Sequence, residues 1–171
     1  MKTKSRKVIC VALAVLLVLA LSITITGCGE KEPKEPKYEP PKNCDVVLES
    51  ESGWNNELYE NFIALCNTYD EIQEKLINHG AELSGSDNDK VLEYAKEHAE
   101  DKSFVVCFYV VNGYNGQQRL REVEVNDGKL TMYIWCPRNT IVNDVMGNCL
   151  FIAGVDKSFV ANVTECEYVF I

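Results

Sequence analysis

Cysteines carry most of the reactive chemistry in this 171-residue chain, and six of its eight lie in the C-terminal part: Cys44, Cys66, Cys107, Cys136, Cys149 and Cys166. Three kinds of chemistry fit such a set. In an exported chain an even number points to disulfides, with 15 possible pairings. Buried reduced thiols fit as well, because cysteine is among the most buried residue types. Cys136 alternates with Leu130, Met132 and Ile134, Cys166 with Tyr168 and Phe170, and Cys44 with Val46 and Leu48. Zinc fits least. No two of the six fall within four residues of each other, and His79 and His98 sit in helix-like segments. Both histidines read as cations at helix C-termini. The carboxylate pairs Glu122/Glu124 and Glu165/Glu167 alternate with Val and Cys, the pattern of a strand with one wet face. No nucleophile stands beside a base and an orienting group, and no glycine loop could cradle a phosphate. The expectation is a protein that is not an enzyme and takes no cofactor or metal.

One turn stands out. Asn112-Gly113-Tyr114-Asn115-Gly116 follows the most apolar segment of the chain. A tyrosine flanked by Gly113 and Gly116 on a hairpin tip offers a large contact area at low entropic cost, as in binding loops. The competing reading is plain turn geometry with Tyr114 packed back on the sheet. Trp54 and Trp135 read as core, with an aromatic patch as the alternative for Trp135 because it alternates with Tyr133.

The first 43 residues concern location. Lys2, Lys4, Arg6 and Lys7 form a basic start, and Val8–Leu21 is fourteen residues without a polar side chain. That length suits a signal segment better than a spanning helix of ~20 residues. Ser22–Thr26 could lengthen it into an uncut anchor. Cys28 directly after Ile25-Thr26-Gly27 looks like a bacterial lipobox. That likeness implies cleavage after residue 27, a diacylglyceryl group on the Cys28 sulfur, and a protein held by its acyl chains (palmitate-type) on the extracytoplasmic face of the cell membrane. Cys10 would leave with the signal. Residues 28–43 then form a linker containing Pro33, Pro36, Pro40 and Pro41, with four lysines and four glutamates. Such a composition favours extended polyproline II at ~3.1 Å per residue. Its Glu-Pro-Lys repeats also read, less simply, as a ligand for a partner module.

Residues 44–171 are large enough for one domain. They hold nine Lys and Arg against twenty-two Asp and Glu, a net charge of −13. That balance excludes nucleic acid and anionic lipid as partners of the domain. It fits a solvated exported surface, or capture of a basic partner. The acidic residues lack calcium-loop spacing.

Local pattern predicts strands at Cys44–Ser50 and Asn61–Cys66 and a helix opened by the capping box Thr68–Glu71, with Ile72, Leu76 and Ile77 inward and a stop at Gly80. A second helix runs from about Asp87 to His98, with Val91, Leu92 and Ala95 inward. Phe104–Val111 reads as a central strand covered on both faces, with Gln118–Val125 as its return strand, although Leu120 is out of phase with Val123 and Val125. Asp127-Gly128 predicts a tight hairpin into Leu130–Cys136. Asn148–Val155 and Thr164–Ile171 complete the set. The fold expected is α+β: two helices followed by a mostly antiparallel sheet of about five to seven strands, in one domain over 44–171.

Phe104–Ile171 resembles the small domain of the PrcB-like family of bacterial surface lipoproteins, and lipoproteins of Firmicutes type share a related element order. The resemblance rests on the hydrophobic strand, Gly113-Tyr114, the Glu-Val alternation, the Gly-Lys hairpin, Val155-Asp156-Lys157, and the loop Asn143-Asp144-Val145-Met146. Asn112 stands where the family pattern has a second glycine. The resemblance implies a non-catalytic accessory protein that binds and stabilises another envelope or secreted protein. Two alternatives stay open on the residues: a protease inhibitor acting through the 113–116 tip, and a thiol-based enzyme.

Overall fold

The computed structural model describes residues 39–53, 60–112, 118–136 and 146–171, of which 51–53, 111–112 and 146 are described by their backbone. Cys28, Trp54 and the turn residues Gly113, Tyr114 and Gly116 lie outside the described residues, as do the signal segment and most of the linker. Among the described residues the elements are β1 (Asp45–Gly53), β2 (Phe62–Cys66), α1 (Tyr69–Asn78), α2 (Gly85–Glu97), β3 (Lys102–Asn112), β4 (Arg119–Asn126), β5 (Lys129–Trp135), β6 (Met146–Asp156), α3 (Lys157–Val160) and β7 (Glu165–Phe170).

The fold is α+β, but its order differs from the expected one. Two strands precede the helices, and the strands form two sheets. One sheet has the order β1-β6-β3-β2 and the other β4-β5-β7. The first is antiparallel throughout. The second pairs β4 with β5 antiparallel and β5 with β7 in parallel. Gln118–Val125 is therefore not the return strand of β3. β3 is saturated on both sides, by β2 and β6, so the chain leaving it cannot pair back onto it and instead joins the other sheet.

Alternation along β3 builds three layers. Phe104, Val106 and Phe108 turn towards the helices and pack with Leu150, Ile152, Ile72, Leu76, Val91 and Ala95. Val105, Cys107 and Tyr109 turn the other way, onto Leu120, Val123, Leu130, Met132 and Ile134 of the second sheet. β3 is thus apolar on both faces because it is the middle layer, as its continuous hydrophobic run predicts. The helices cover one face of the first sheet, and the second sheet covers the other.

Two bulges reconcile the sequence pattern with this packing. The register shifts between Leu120 and Glu122, so Leu120 and Val123 both point inward although three residues apart. A second shift, between Val46 and Leu48, turns Cys44 and Val46 towards the second sheet and Leu48 towards the helices. The α1 start matches the expected cap: Thr68 Oγ1 accepts from Glu71 N at 3.2 Å. The Glu71 carboxylate reaches back one residue further than the usual box, accepting from Asn67 N at 2.8 Å. The helix ends in a Schellman motif, with Gly80 at φ 78, Gly80 N donating to Ile77 O and Ala81 N to Leu76 O. Ile77, expected inward, is 62% exposed. It follows Leu76 by 100° around the helix, enough to leave the narrow apolar stripe.

Hydrogen bonds tie the two sheets together along the β1–β4 seam. Glu49 Oε1 accepts the Leu120 N–H at 2.8 Å. Lys42, at the end of the linker, bridges to β4 through Lys42 N→Arg121 O at 3.0 Å and Val123 N→Lys42 O at 3.2 Å. Pro40 and Pro41 precede it and have no N–H, so this pairing does not extend beyond the single bridge at Glu122.

Candidate binding face

The outer face of the second sheet has no covering layer among the described residues. β5 sends Leu130, Met132 and Ile134 into the core, fully buried, and Lys129, Thr131, Tyr133 and Trp135 outward. Tyr133 and Trp135 are half-buried surface residues, which corrects the expectation that Trp135 is core. The phase is fixed by Ile134, which has to bury, so its neighbours must face out. On the flanks, β7 sets Glu165, Glu167 and Val169 opposite Lys129, Thr131 and Tyr133. The β4 bulge places Arg121 over the Trp135 ring, 5.5 Å from its centroid.

The face has two halves. Nearest the β4–β5 turn it is charged and hydrogen-bonded. Lys129 Nζ lies 2.6 Å from Glu167 and 3.5 Å from Glu165. Thr131 Oγ1 donates to Glu167 Oε1 at 3.1 Å, and Tyr133 OH donates to Glu124 Oε2 at 3.1 Å. The Lys129 ammonium holds the Glu167 carboxyl below its ordinary range, and the two glutamates raise Lys129 in turn. The Glu124 carboxylate raises the Tyr133 phenol. At the other end lie Trp135, Val169 at 37% exposure and Ile171 at 51%. Exposed apolar residues gathered at one end of a sheet mark an interaction site more often than scattered ones do. Trp, Tyr and Arg are also the side chains that carry most interface energy.

The thiols are elsewhere. Cys66, Cys107 and Cys149 are buried, and Cys44, Cys136 and Cys166 are half-buried. Burial pushes the Cys44 and Cys66 thiols up to about 12 and raises those of Cys107 and Cys166. A thiol so shifted is not a nucleophile near neutral pH. Cys149 donates to the buried Gln118 Oε1 at 3.7 Å, and Gln118 Nε2 contacts Cys136 Sγ at 4.0 Å. Beside them the Tyr109 hydroxyl is buried with no hydrogen-bond partner among the described residues, its ring packed against Phe151, Tyr168 and Phe170. No group of three or more His, Cys, Asp or Glu able to hold a metal occurs among the described residues.

Known family models, curated proteins and solved structures give no match to this chain.

A second polar cluster, missed by sequence reading, lies between α2 and the first sheet. Tyr94 OH donates to Asp45 Oδ2 at 2.6 Å. Lys102 Nζ sits 3.0 Å from Asp45 and 2.9 Å from Asp156. His98 packs against Tyr94 with centroids 4.4 Å apart and the rings tilted by 41°, which accounts for it beyond helix-end solvation. His79 stacks on Phe62 at 4.1 Å. Hydrogen bonds from Tyr94 and Lys102 lower Asp45, while burial and Asp45 raise the Tyr94 phenol. A tyrosine pushed up by a carboxylate is not poised as a base, so the cluster fastens α2 to the sheet. The one sequence signal for it is Gly154, where a Cβ would lie 2.4 Å from the Tyr94 oxygen. The carboxylate pairs project outward as their alternation predicts. The bulge that brings Arg121 to Trp135 had only the misplaced Leu120 as its signal.

Proposed function

We propose that this protein is a non-catalytic, lipid-anchored protein of the extracytoplasmic membrane face that binds another envelope or secreted protein through the outer face of its β4-β5-β7 sheet. The observation that carries the reading is that face: Trp135 under Arg121, Tyr133, Val169 and Ile171 on a sheet with no covering layer among the described residues. The raised thiols favour a binding role over thiol chemistry. The lipobox-like Ile25-Thr26-Gly27-Cys28 supports the anchor, and the resemblance of Phe104–Ile171 to the PrcB-like domain supports an accessory role. Among the described residues no helix is long and apolar enough to cross a membrane.

Two experiments test the two halves. Metabolic labelling with palmitate should mark the wild-type chain and not Cys28→Ala; label retained in Cys28→Ala, or absent from the wild-type chain, refutes lipidation at Cys28. A photo-reactive amino acid at position 131, on the outer face, should give a discrete crosslinked adduct in the producing cells, and one at position 93 on α2 should not. Adducts from 93 alone would move the binding site to the helical layer.

A further inference from the structure

Charge on the candidate face is unevenly partnered. Its outward side chains include Glu122, Glu124, Glu165 and Glu167 against Arg119, Arg121 and Lys129, and Arg119 is engaged by Glu49 at 3.9 Å. Lys129 bridges two carboxylates at once, which leaves one negative charge over. Glu124 is held by a phenol, with no cation within ion-pair distance among the described residues. Glu122 has Lys42 at 4.0 Å, and that lysine side chain is 71% exposed. Behind the face stands a domain of net charge −13, of which residues 69–101, the helical layer, hold ten acidic residues against three lysines. A second copy brings the same −13, so like charges oppose pairing of two such faces. Trp135 already holds a guanidinium on its ring, from Arg121, so this aromatic accommodates a cation.

Resting on the reading of this sheet as the docking surface, we infer that its occupant is a cationic polypeptide segment: an aliphatic or aromatic anchor seated on Trp135, Val169 and Ile171, flanked by Lys or Arg that reach Glu124 and the Glu165/Glu167 pair. The acidic body steers such a segment from a distance, and the apolar end holds it.

The test uses the full chain in nanodiscs of neutral phosphatidylcholine and two fluorescent peptides with the same Leu-Trp-Leu anchor, one flanked by lysines and one by glutamates. The lysine peptide should bind about ten-fold tighter than the glutamate peptide and weaken about ten-fold as salt rises from roughly 0.05 to 0.3 M. The double variant Glu124→Gln/Glu165→Gln should weaken it about three-fold or more, by removing two rim charges. Glu93→Gln/Glu97→Gln on α2 should change it little. Urea unfolding of each variant separates lost binding from lost folding. Equal binding of both peptides, with loss on Trp135→Ala, overturns the cationic occupant and leaves the face standing. Binding abolished by the α2 variant overturns it in favour of the helical layer. Concentration-dependent dimerisation without peptide binding overturns it in favour of a second copy. Failure of both peptides also overturns it, while crosslinking from position 131 separately decides the face.

Discussion

Tyr94 and Gly154 show how much one contact can fix. The tyrosine ring lies where any side chain at 154 would be: a Cβ there would meet Tyr94 Oη at 2.4 Å, Cε1 at 2.8 Å and Cζ at 2.9 Å. Gly154 is held in register between Asp45 and Phe104, so the backbone cannot move aside. Gly154→Ala should therefore expel the ring, break the Tyr94–Asp45 hydrogen bond and destabilise the domain by about 1–3 kcal/mol, the usual cost of overpacking. In a Tyr94→Ala background the same substitution should cost much less, and a double-mutant cycle by urea unfolding measures that coupling. Asp45 adds a pH dependence. Its carboxyl lies below its ordinary value near 3.8 in the folded protein. Its contribution is then complete above that value and is lost as pH falls through the lower folded value. Lys102 is raised above 10.5, so its contribution is complete below that value and fades only in strong alkali. Asp45→Asn should lower stability at pH 7, and the gap from the wild-type protein should close on acid titration below pH 4.

The β4–β5 hairpin does at the level of elements what Gly154 does locally. Asp127 at φ 51 and Gly128 at φ 79 give the two positive-φ positions of a type I′ turn, as Asp-Gly predicts. The Gly128 carbonyl also accepts from Thr164 N at 2.8 Å and Glu165 N at 3.4 Å, so the turn sets the start of β7 beside Lys129. Gly128→Ala forces an alanine into the left-handed region and brings its Cβ within 3.2 Å of Asn162 O. It should cost about 1–2 kcal/mol, read by thermal unfolding. Every element except the short α3 was legible in the sequence to within two or three residues, because caps, turns and period-two alternation act locally. Sheet membership was not legible. Nothing in residues 118–125 says that β3 is already paired on both sides, and the β5–β7 parallel pairing joins segments thirty-six residues apart. The candidate binding face was half legible. Tyr133–Trp135 alternation is plain, but which side faces water depends on Ile134 meeting β3 and β6 across the sandwich.

At the scale of the whole molecule, two electrostatic effects of opposite sign decide how salt acts. The ion pairs Lys102–Asp45, Lys102–Asp156 and Lys129–Glu167 favour folding and are weakened by screening. The acidic partners of Lys102 are 52% and 65% exposed, and pairs of that kind contribute roughly 0–1 kcal/mol each; the Lys129–Glu167 pair is fully solvated and screened more readily. Against them stands the self-repulsion of a body of net charge −13, concentrated in a helical layer with a seven-charge excess of acid over base. Screening over a Debye length of about 10 Å at 0.1 M removes mainly that longer-range repulsion, because partners within hydrogen-bond distance are closer than the ion atmosphere can enter. Repulsion should win. Raising sodium chloride from about 0.02 to 0.3 M should raise the melting temperature by a few degrees, equivalent to roughly 1 kcal/mol for a domain of this size. A falling Tm would show that the pairs dominate. Glu93→Gln/Glu97→Gln should reproduce part of the gain without added salt, and a neutral substitution on the outer face of the second sheet should not. If the helical layer is where like charge accumulates, relief must come from that layer.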